Sequence, residues 1–193
     1  MQDAPHNPAA AWLWRPQADI LGQTLKIRVG GSFTCPPVEG LKGVKKIVLV
    51  AGGVGVNPLI SMLGYIAAEG VDVEVSVLYG SKIDEGGKVV LLDRILDLFG
   101  KKLVKGGVKL FLTAKKDVEA GVQVMDGVGV AVHSGRMTVN TVLNEIRDLG
   151  DAKAGLVYIC GPPAMTDEFV EALTKEDMKD VIYPNNVKLE KWW

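Results

Sequence analysis

Residues 46–61 read Lys-Ile-Val-Leu-Val-Ala-Gly-Gly-Val-Gly-Val-Asn-Pro-Leu-Ile-Ser, and they carry the most specific structural pattern in the chain. Its apolar run at 47–50 is mostly β-branched, which predicts a strand buried on both faces, as in a parallel sheet. The glycines that follow allow positive φ angles and let a ligand approach the backbone. We predict that Asn57 caps the next helix and that Pro58 occupies its first position.

A strand, a glycine turn and a helix N-terminus together predict a binding site for an anion, because amide groups and the helix dipole face the ligand there. The spacing Gly53-x-Gly55-x-x-Pro58 is similar to a dinucleotide fingerprint with proline as the third glycine. No Gly-Lys-Ser/Thr ends the loop, so it is not a P-loop. A tight connection without a ligand is the alternative. We expect Gly55→Val to abolish nucleotide binding and to leave the fold largely intact.

The composition is that of an ordinary globular protein. The chain has 193 residues, of which 48% are hydrophobic and 23% charged, with a formal net charge of -1. This charge gives no electrostatic case for a nucleic acid partner. No apolar run approaches the roughly 20 residues that span a bilayer. Cys35 and Cys160 lack metal-ligand spacing, so neither a metal site nor a disulfide framework is predicted.

From about residue 43, strands and helices alternate, which predicts an α/β fold: a Rossmann-like parallel five-stranded sheet with helices on both faces. The predicted strands are 47–50, 73–79, 108–113, 128–132 and 156–160. Helices are expected after residue 58 and at 89–99, 138–149 and 164–173, with a short helix at 175–181 and an extended end at 187–193. Residues 1–40 are rich in proline and predict a strand at 25–29 within irregular chain.

Several ordered motifs resemble the pyridine-nucleotide domain of the ferredoxin–NADP reductase superfamily. Besides the glycine turn, they are Val77-Leu-Tyr-Gly80, His133-x-Gly-Arg136, Cys160-Gly-Pro-Pro-x-Met165 and Glu190-Lys-Trp-Trp193. Near the N-terminus, the chain resembles the oxidoreductase NAD-binding domain-containing proteins at His6-Asn-Pro-Ala9, Trp12 and Val29-Gly-Gly-Ser-Phe33. The ordered set covers about residues 41 to 193 and is more specific than any single motif.

This resemblance implies an FAD-dependent NAD(P)H oxidoreductase with an unassigned electron acceptor. It implies that residues 1–40 are the remnant of a flavin-binding β-barrel and that residues 41–193 form the NAD(P)-binding domain. The superfamily's flavin motif, Arg-x-Tyr-Ser/Thr, is absent, so we expect a truncated chain that does not retain FAD alone. The alternative is a nicotinamide-dinucleotide-binding module without turnover. The resemblance also implies a mitochondrial association; the cytoplasm is the alternative, since the first residues do not resemble a transit peptide.

The resemblance also assigns site residues at the strand ends. Cys160 and Trp193 are the expected catalytic residues, beside the nicotinamide and the flavin ring. The expected cofactor-binding residues are Gly52, Gly53, Val54, Gly55, Asn57, Pro58, Gly80, Thr113, Lys115, Arg136, Cys160, Gly161, Pro162, Pro163 and Met165. Backbone groups at Gly53–Gly55 are expected to face the pyrophosphate, and Cys160, Gly161 and Pro162 are expected to border the nicotinamide.

Some of these residues have a second interpretation. Cys160 is also a typical buried cysteine at a strand end. Thr113 and Lys115 match a 2′-phosphate site only loosely, and a solvated lysine pair is the alternative. Arg136 either contacts a phosphate or braces its loop. The C-terminal tryptophans, which include Trp193, either cover a flavin or anchor a terminal strand. His133 is expected to be structural, because hydride transfer needs no general base.

Overall fold

The chain divides into two compact units in the computed structural model, Met1–Gly31 and Ser32–Trp193. The structure describes residues 7–28, 30–83, 88–113 and 120–191, apart from the side chain of Asp148. The first unit contains two short helices, α1 (Pro8–Leu13) and α2 (Gln17–Ile20). The predicted division after residue 40 stays a prediction.

The strand predicted at 25–29 is wrong for its described residues, 25–28, which belong to no strand. Leu25 and Ile27 are 57% and 80% exposed, so their alternation meets neither a partner strand nor an apolar layer. An isolated strand is not stable without such partners. Among residues 7–28, 30 and 31 no residue is buried. Exposed apolar side chains are instead common there, at Leu13, Trp14, Leu21, Leu25 and Ile27.

The described strands of the second unit form one sheet of seven strands in the order β4-β5-β3-β2-β1-β6-β7. All neighbours are parallel except the antiparallel pair β4–β5. The strands are β1 (Lys46–Gly52), β2 (Glu74–Ser81), β3 (Lys105–Leu112), β4 (Gly121–Met125), β5 (Val128–Ser134), β6 (Gly155–Gly161) and β7 (Val187–Lys191). The helices are α3 (Val56–Glu69), α4 (Leu92–Gly100), α5 (Val139–Ile146) and α6 (Pro163–Leu173). Short 3-10 turns lie at Gly53–Gly55, Arg147–Leu149, Glu176–Met178 and Pro184–Asn186.

The interior strand β1 shows why helices cover both faces of the sheet. Its side chains alternate, and none of Ile47, Val48, Leu49 and Val50 is exposed. Ile47 and Leu49 lie in the core formed with α3 and α4. Val48 and Val50 lie in the core formed with α5 and α6. The predicted α/β fold with helices on both faces is therefore confirmed.

All five predicted strands are present, and two further strands join the sheet. The extended C-terminal stretch forms β7, which pairs in parallel with β6. The edge strand β4 was not predicted, although Asp126-Gly127 is a strong hairpin signal between it and β5. Both turn residues have positive φ, 48° at Asp126 and 78° at Gly127, as a type I′ turn requires.

A buried carboxylate ties α5 to three strands. Oε2 of Glu145 accepts a hydrogen bond from Ser76 Oγ of β2 at 2.6 Å and lies 3.1 Å from Lys46 Nζ of β1. Its Oε1 lies 2.5 Å from Lys109 Nζ of β3. Burial raises the pKa of Glu145, but the bonds from Lys109, Ser76 and Lys46 outweigh it and hold that pKa below its ordinary value. Lys46 also pairs with Glu74 at 2.9 Å.

The chain just before β1 packs against β6. The ring of Phe33 meets the Tyr158 ring edge-on, with centroids 5.4 Å apart. The Tyr158 hydroxyl donates a hydrogen bond of 2.8 Å to the carbonyl of Thr34. Burial, followed by the neighbouring Cys35 thiol, raises the pKa of Tyr158 far above its ordinary value, so this hydroxyl stays a donor. These contacts belong to the second unit.

Candidate functional site

The order of the strands switches between β1 and β6, two parallel neighbours in the interior of the sheet. The helix that follows β1, α3, lies on one face, and the helix that follows β6, α6, lies on the other. Open α/β sheets bind ligands at such a switch point, beyond the carboxyl ends of the strands. Here those ends carry the two strongest sequence motifs, residues 52–58 and 160–165.

The glycine turn (Gly53–Gly55) is a single 3-10 turn that continues directly into α3. Gly53 has a φ of +53°, a conformation that residues with a side chain rarely adopt. The N–H of Val56 donates to the carbonyls of Gly53 and Val54. Val54 itself is 45% exposed at the tip of the turn. The turn therefore exposes Val54 and part of Gly53 to the solvent at the positive end of a helix dipole, whereas Gly55 is buried.

The predicted cap of α3 is wrong. The helix begins at Val56 with Gly55 as its N-cap, so Asn57 and Pro58 are its second and third residues. The earlier start buries the side chain of Val56 in the core, where it is 1% exposed. Pro58 is tolerated because the amides of the first turn have no partner within the helix. Asn57 remains exposed at the candidate site.

Glycine is required at position 55 for a structural reason that the sequence did not reveal. A Cβ at this position would lie 2.2 Å from the carbonyl oxygen of Cys160 and 2.8 Å from the amide nitrogen of Gly161. Any side chain would therefore collide with the backbone of β6. The expectation that Gly55→Val leaves the fold largely intact is wrong, because the valine would push the turn away from that strand.

The Cys-Gly-Pro-Pro motif (residues 160–163) packs against the end of β1. A Cβ at Gly52 would lie 2.7 Å from Pro162 Cδ, and one at Gly161 would lie 3.1 Å from Gly52 Cα. Pro163 begins α6, so Pro162 and Pro163 join β6 directly to the helix. The two motifs that the sequence placed at one site are thus in direct contact.

Cys160 is 2% exposed, and its register partners are Ala51 of β1 and Glu190 of β7. Burial raises the pKa of its thiol to about 11, and the Glu190 carboxylate adds to the effect. The thiol is therefore protonated at neutral pH and is not a nucleophile. This fits the interpretation of Cys160 as a buried strand-end residue. Its position beside a nicotinamide ring stays a prediction.

The carboxyl ends of the neighbouring strands β2, β3 and β5 form the rest of the candidate site's edge. Gly80 of β2 is the register partner of Gly52. The N–H of Thr113 donates to the carbonyl of Ser81 at 3.1 Å, which places Thr113 at the end of β3. Arg136 is exposed just beyond the end of β5. The structure thus brings Gly80, Thr113 and Arg136 to the same edge as the glycine turn.

His133 has a packing role. Its ring stacks on that of Phe111, with centroids 4.7 Å apart and an angle of 10° between the planes. Lys115 and Trp193, like their neighbours Lys116 and Trp192, lie outside the described residues, so their assigned roles stay predictions.

One residue of the site was missed by sequence reasoning. Met137 is 8% exposed, and its Cε lies 2.9 Å from where a Cβ of Gly80 would be. The signal was its position before Thr138, the N-cap of α5, where an apolar residue often anchors the entry of the chain. Within the described ranges, no group of three His, Cys, Asp or Glu side chains could hold a metal ion.

A family model covers most of this architecture. The model of the oxidoreductase NAD-binding domain matches residues 49–171. The chain belongs to this family. The match begins within β1 and ends within α6, so it includes both the glycine turn and the Cys-Gly-Pro-Pro motif. Among the helices that the structure describes, none has the length and apolar composition to cross a membrane.

Two curated relatives are similar over much of the chain. Oxidoreductase NAD-binding domain-containing protein 1 of Bos taurus is 30% identical over 203 aligned residues, which cover 100% of this chain and 59% of the relative. The reductase component of propane 2-monooxygenase from Rhodococcus jostii is 33% identical over 144 residues, covering 74% of this chain and 34% of the relative. The chain therefore spans about three fifths of the length of the first relative.

Solved structures support the fold. The cytochrome P450 reductase GcoB of Amycolatopsis has a TM-score of 0.57 at 19% identity, and the match covers 99% of this chain and 50% of the other. The cytochrome b5 reductase domain of Ulva prolifera nitrate reductase has a TM-score of 0.54 at 16% identity, covering 76% and 50%. At these identities the likeness concerns the fold alone, which is that of ferredoxin reductase-like domains.

Proposed function

We propose that this chain binds a nicotinamide dinucleotide at the carboxyl ends of β1 and β6, as part of an NAD(P)H oxidoreductase that passes hydride to a flavin. The observation that supports this most is the contact between the glycine turn and the Cys-Gly-Pro-Pro motif at the switch point of the sheet. Neither motif is specific alone, but their packing creates one backbone-lined edge beside the start of α3.

The residues at this edge would bind and orient the dinucleotide. The turn at Gly53–Gly55 offers backbone amides and the α3 dipole to the pyrophosphate. Glycine at positions 52 and 161 leaves room for Pro162 and Met165 to pack against the strand ends, which keeps the Cys-Gly-Pro-Pro motif close to the glycine turn. Pro162 and Pro163 hold the chain rigid beside the expected nicotinamide. A flavin, when present, supplies the acceptor for the hydride.

The flavin itself is assigned to no described residue. Trp193, the residue expected beside its ring, lies outside the described part of the chain. Residues 7–28, 30 and 31 contain two short helices and no strand. The flavin and the mitochondrial association therefore rest on the family resemblance alone, and the final electron acceptor stays unassigned.

A second candidate is a dinucleotide-binding module without turnover. It is favoured by the first unit, whose described residues form neither a strand nor a buried core. The two candidates predict the same binding but different chemistry. Oxidation of NADH by the purified chain with added FAD, followed at the NADH absorbance band, separates them.

The binding itself is tested at Val54, because this side chain is exposed at the tip of the turn and is not part of the core. Val54→Glu places a carboxylate beside the expected pyrophosphate. Two unit charges of like sign about 4 Å apart repel by about 1 to 4 kcal/mol between water and a protein surface, so affinity should fall about tenfold or more.

The matched control is Val122→Glu on the edge strand β4, where the valine is 77% exposed and remote from β1 in strand order. Calorimetric titration with NADH should give the wild-type affinity for this variant. Equal affinities for the wild type, Val54→Glu and Val122→Glu would contradict binding at the turn. Failure of the wild type to bind either NADH or NADPH would contradict the proposed function.

A further inference from the structure

A row of three glycines crosses the carboxyl ends of neighbouring strands at one level. Gly80 of β2 pairs with Gly52 of β1, and a Cβ at Gly161 of β6 would lie 3.1 Å from Gly52 Cα. All three positions are on the face of the sheet that packs against α5 and α6, since they continue the alternation of Leu78, Val50 and Ile159. This glycine row (Gly80, Gly52 and Gly161) leaves a notch beneath the candidate site.

Two methionine side chains fill the notch. For Met165, in the first turn of α6, Cε lies 2.5 Å from the Cβ position of Gly161, and Sδ lies 3.0 Å from that of Gly52. Met137, just before α5, places Cε 2.9 Å from the Cβ position of Gly80. An unbranched, flexible thioether suits such an irregular space better than a branched side chain does. In the described part of the site, the glycine row is therefore packed against one side chain from the start of α6 and one from the residue just before α5.

We infer that Met165 and Met137 are positioning residues for the dinucleotide: they support the glycine row from below and so hold the glycine turn and Pro162 in register. This inference rests on the proposed function and assigns Met165 to the support of the strand ends instead of to contact with the cofactor. In a variant with a shorter side chain at Met165, Gly52 and Gly161 lose the atoms that pack against them on this face of the sheet. The glycine turn, joined directly to Gly52, then loses its fixed position relative to β6.

The main test compares Met165→Ala and Met137→Ala with Met178→Ala. Met178 packs against the same apolar cluster but has no contact with the glycine row among those given by the structure. A binding site that is less preorganised binds its ligand less tightly, so we expect NADH affinity to fall about tenfold for Met165→Ala and less for Met137→Ala. Met165→Leu, which conserves the volume, should restore most of that affinity.

A second readout does not depend on the ligand. Hydrogen exchange of the amides at Gly53–Gly55 in the free protein should become faster in Met165→Ala, while exchange in β4 and β5 should stay at the wild-type rate. Met178→Ala should change neither region selectively. If Met165→Ala does not fold, Met165→Val gives the same comparison, because valine retains apolar volume but cannot reach Gly161.

Wild-type NADH affinity together with unchanged exchange at the glycine turn in Met165→Ala would overturn the inference. An equal loss in Met178→Ala would also overturn it, since it would show a general effect on stability. A wild-type protein that binds no dinucleotide would refute the proposed function instead. In that case the exchange measurement still decides whether the methionines hold the turn.

Discussion

Replacing Glu145 by glutamine tests whether the buried carboxylate holds α5 on the sheet. The side chain is 6% exposed and lies against Ser76, Lys46 and Lys109. Glutamine keeps the shape but removes the charge, so both lysines lose their shared partner. Breaking a fully buried ion pair costs about 3–5 kcal/mol.

The cost here should be smaller for two structural reasons. The side chain of Lys109 is 40% exposed and can turn to water. Lys46 keeps its bond to Glu74. We therefore expect Glu145→Gln to lower the free energy of unfolding by about 2–3 kcal/mol, which for a chain of this size lowers Tm by about 4–12 °C.

The pH dependence gives the sharper test. Because the folded-state pKa of Glu145 is lowered from its ordinary 4.5, its contribution is fully present above that value and is lost as pH falls through the folded pKa. Urea unfolding at pH 7 should therefore separate wild type from Glu145→Gln, and the difference should begin to shrink only as the pH falls below 4.5. Glu74→Gln is the control, because Glu74 contacts the same lysine but is 57% exposed. It should cost less than about 1 kcal/mol. A difference below about 0.5 kcal/mol at pH 7, within the range of surface substitutions, would refute this reasoning. So would a difference that does not change with pH.

Three further predictions concern the cofactors and the thiol. NADH should bind slightly more tightly than NADPH, and a preference for NADPH above about a hundredfold, or 2.7 kcal/mol, would contradict this; Lys115→Ala and Lys116→Ala then test its source. The chain alone should not retain FAD after reconstitution and washing, as judged by visible absorbance. Stoichiometric flavin that NADH bleaches would show the opposite and make Trp193 the first residue to change. A thiol reagent at pH 8 should modify Cys160 only after unfolding, because this thiol is buried with a pKa of about 11; rapid labelling of Cys160 in the native protein would contradict its burial.

The parts of the fold that sequence predicted are those encoded by local patterns. The apolar run at 47–50 and the glycines after it specify a buried strand and a turn within one short stretch. The five strands of the parallel core were found for the same reason. The edge strand β4 was missed because it is short and its Val122 and Val124 are exposed, so no buried face marks it.

The reasons for individual site residues were harder to predict, because they depend on contacts between distant parts of the chain. Gly55 is required by the carbonyl of Cys160 on another strand. The cap of α3 shifted because the burial of Val56 outweighed the local preference of Asn57 for a cap position. The partners of Glu145 lie on three strands that no local pattern connects to α5.

The pairing of β1 with β6 affects the order in which the parts of the protein fold during synthesis. Lys46 pairs with Gly155, more than a hundred residues later, whereas the strands β1, β2, β3 and β5 come earlier in the chain and are neighbours. Contacts between such distant residues carry a large loop-closure cost and form late in folding. During synthesis, β6 must leave the ribosome before it can pair with β1. The candidate dinucleotide site lies between β1 and β6, so a nascent chain should acquire nucleotide affinity only after β6 has left the ribosome.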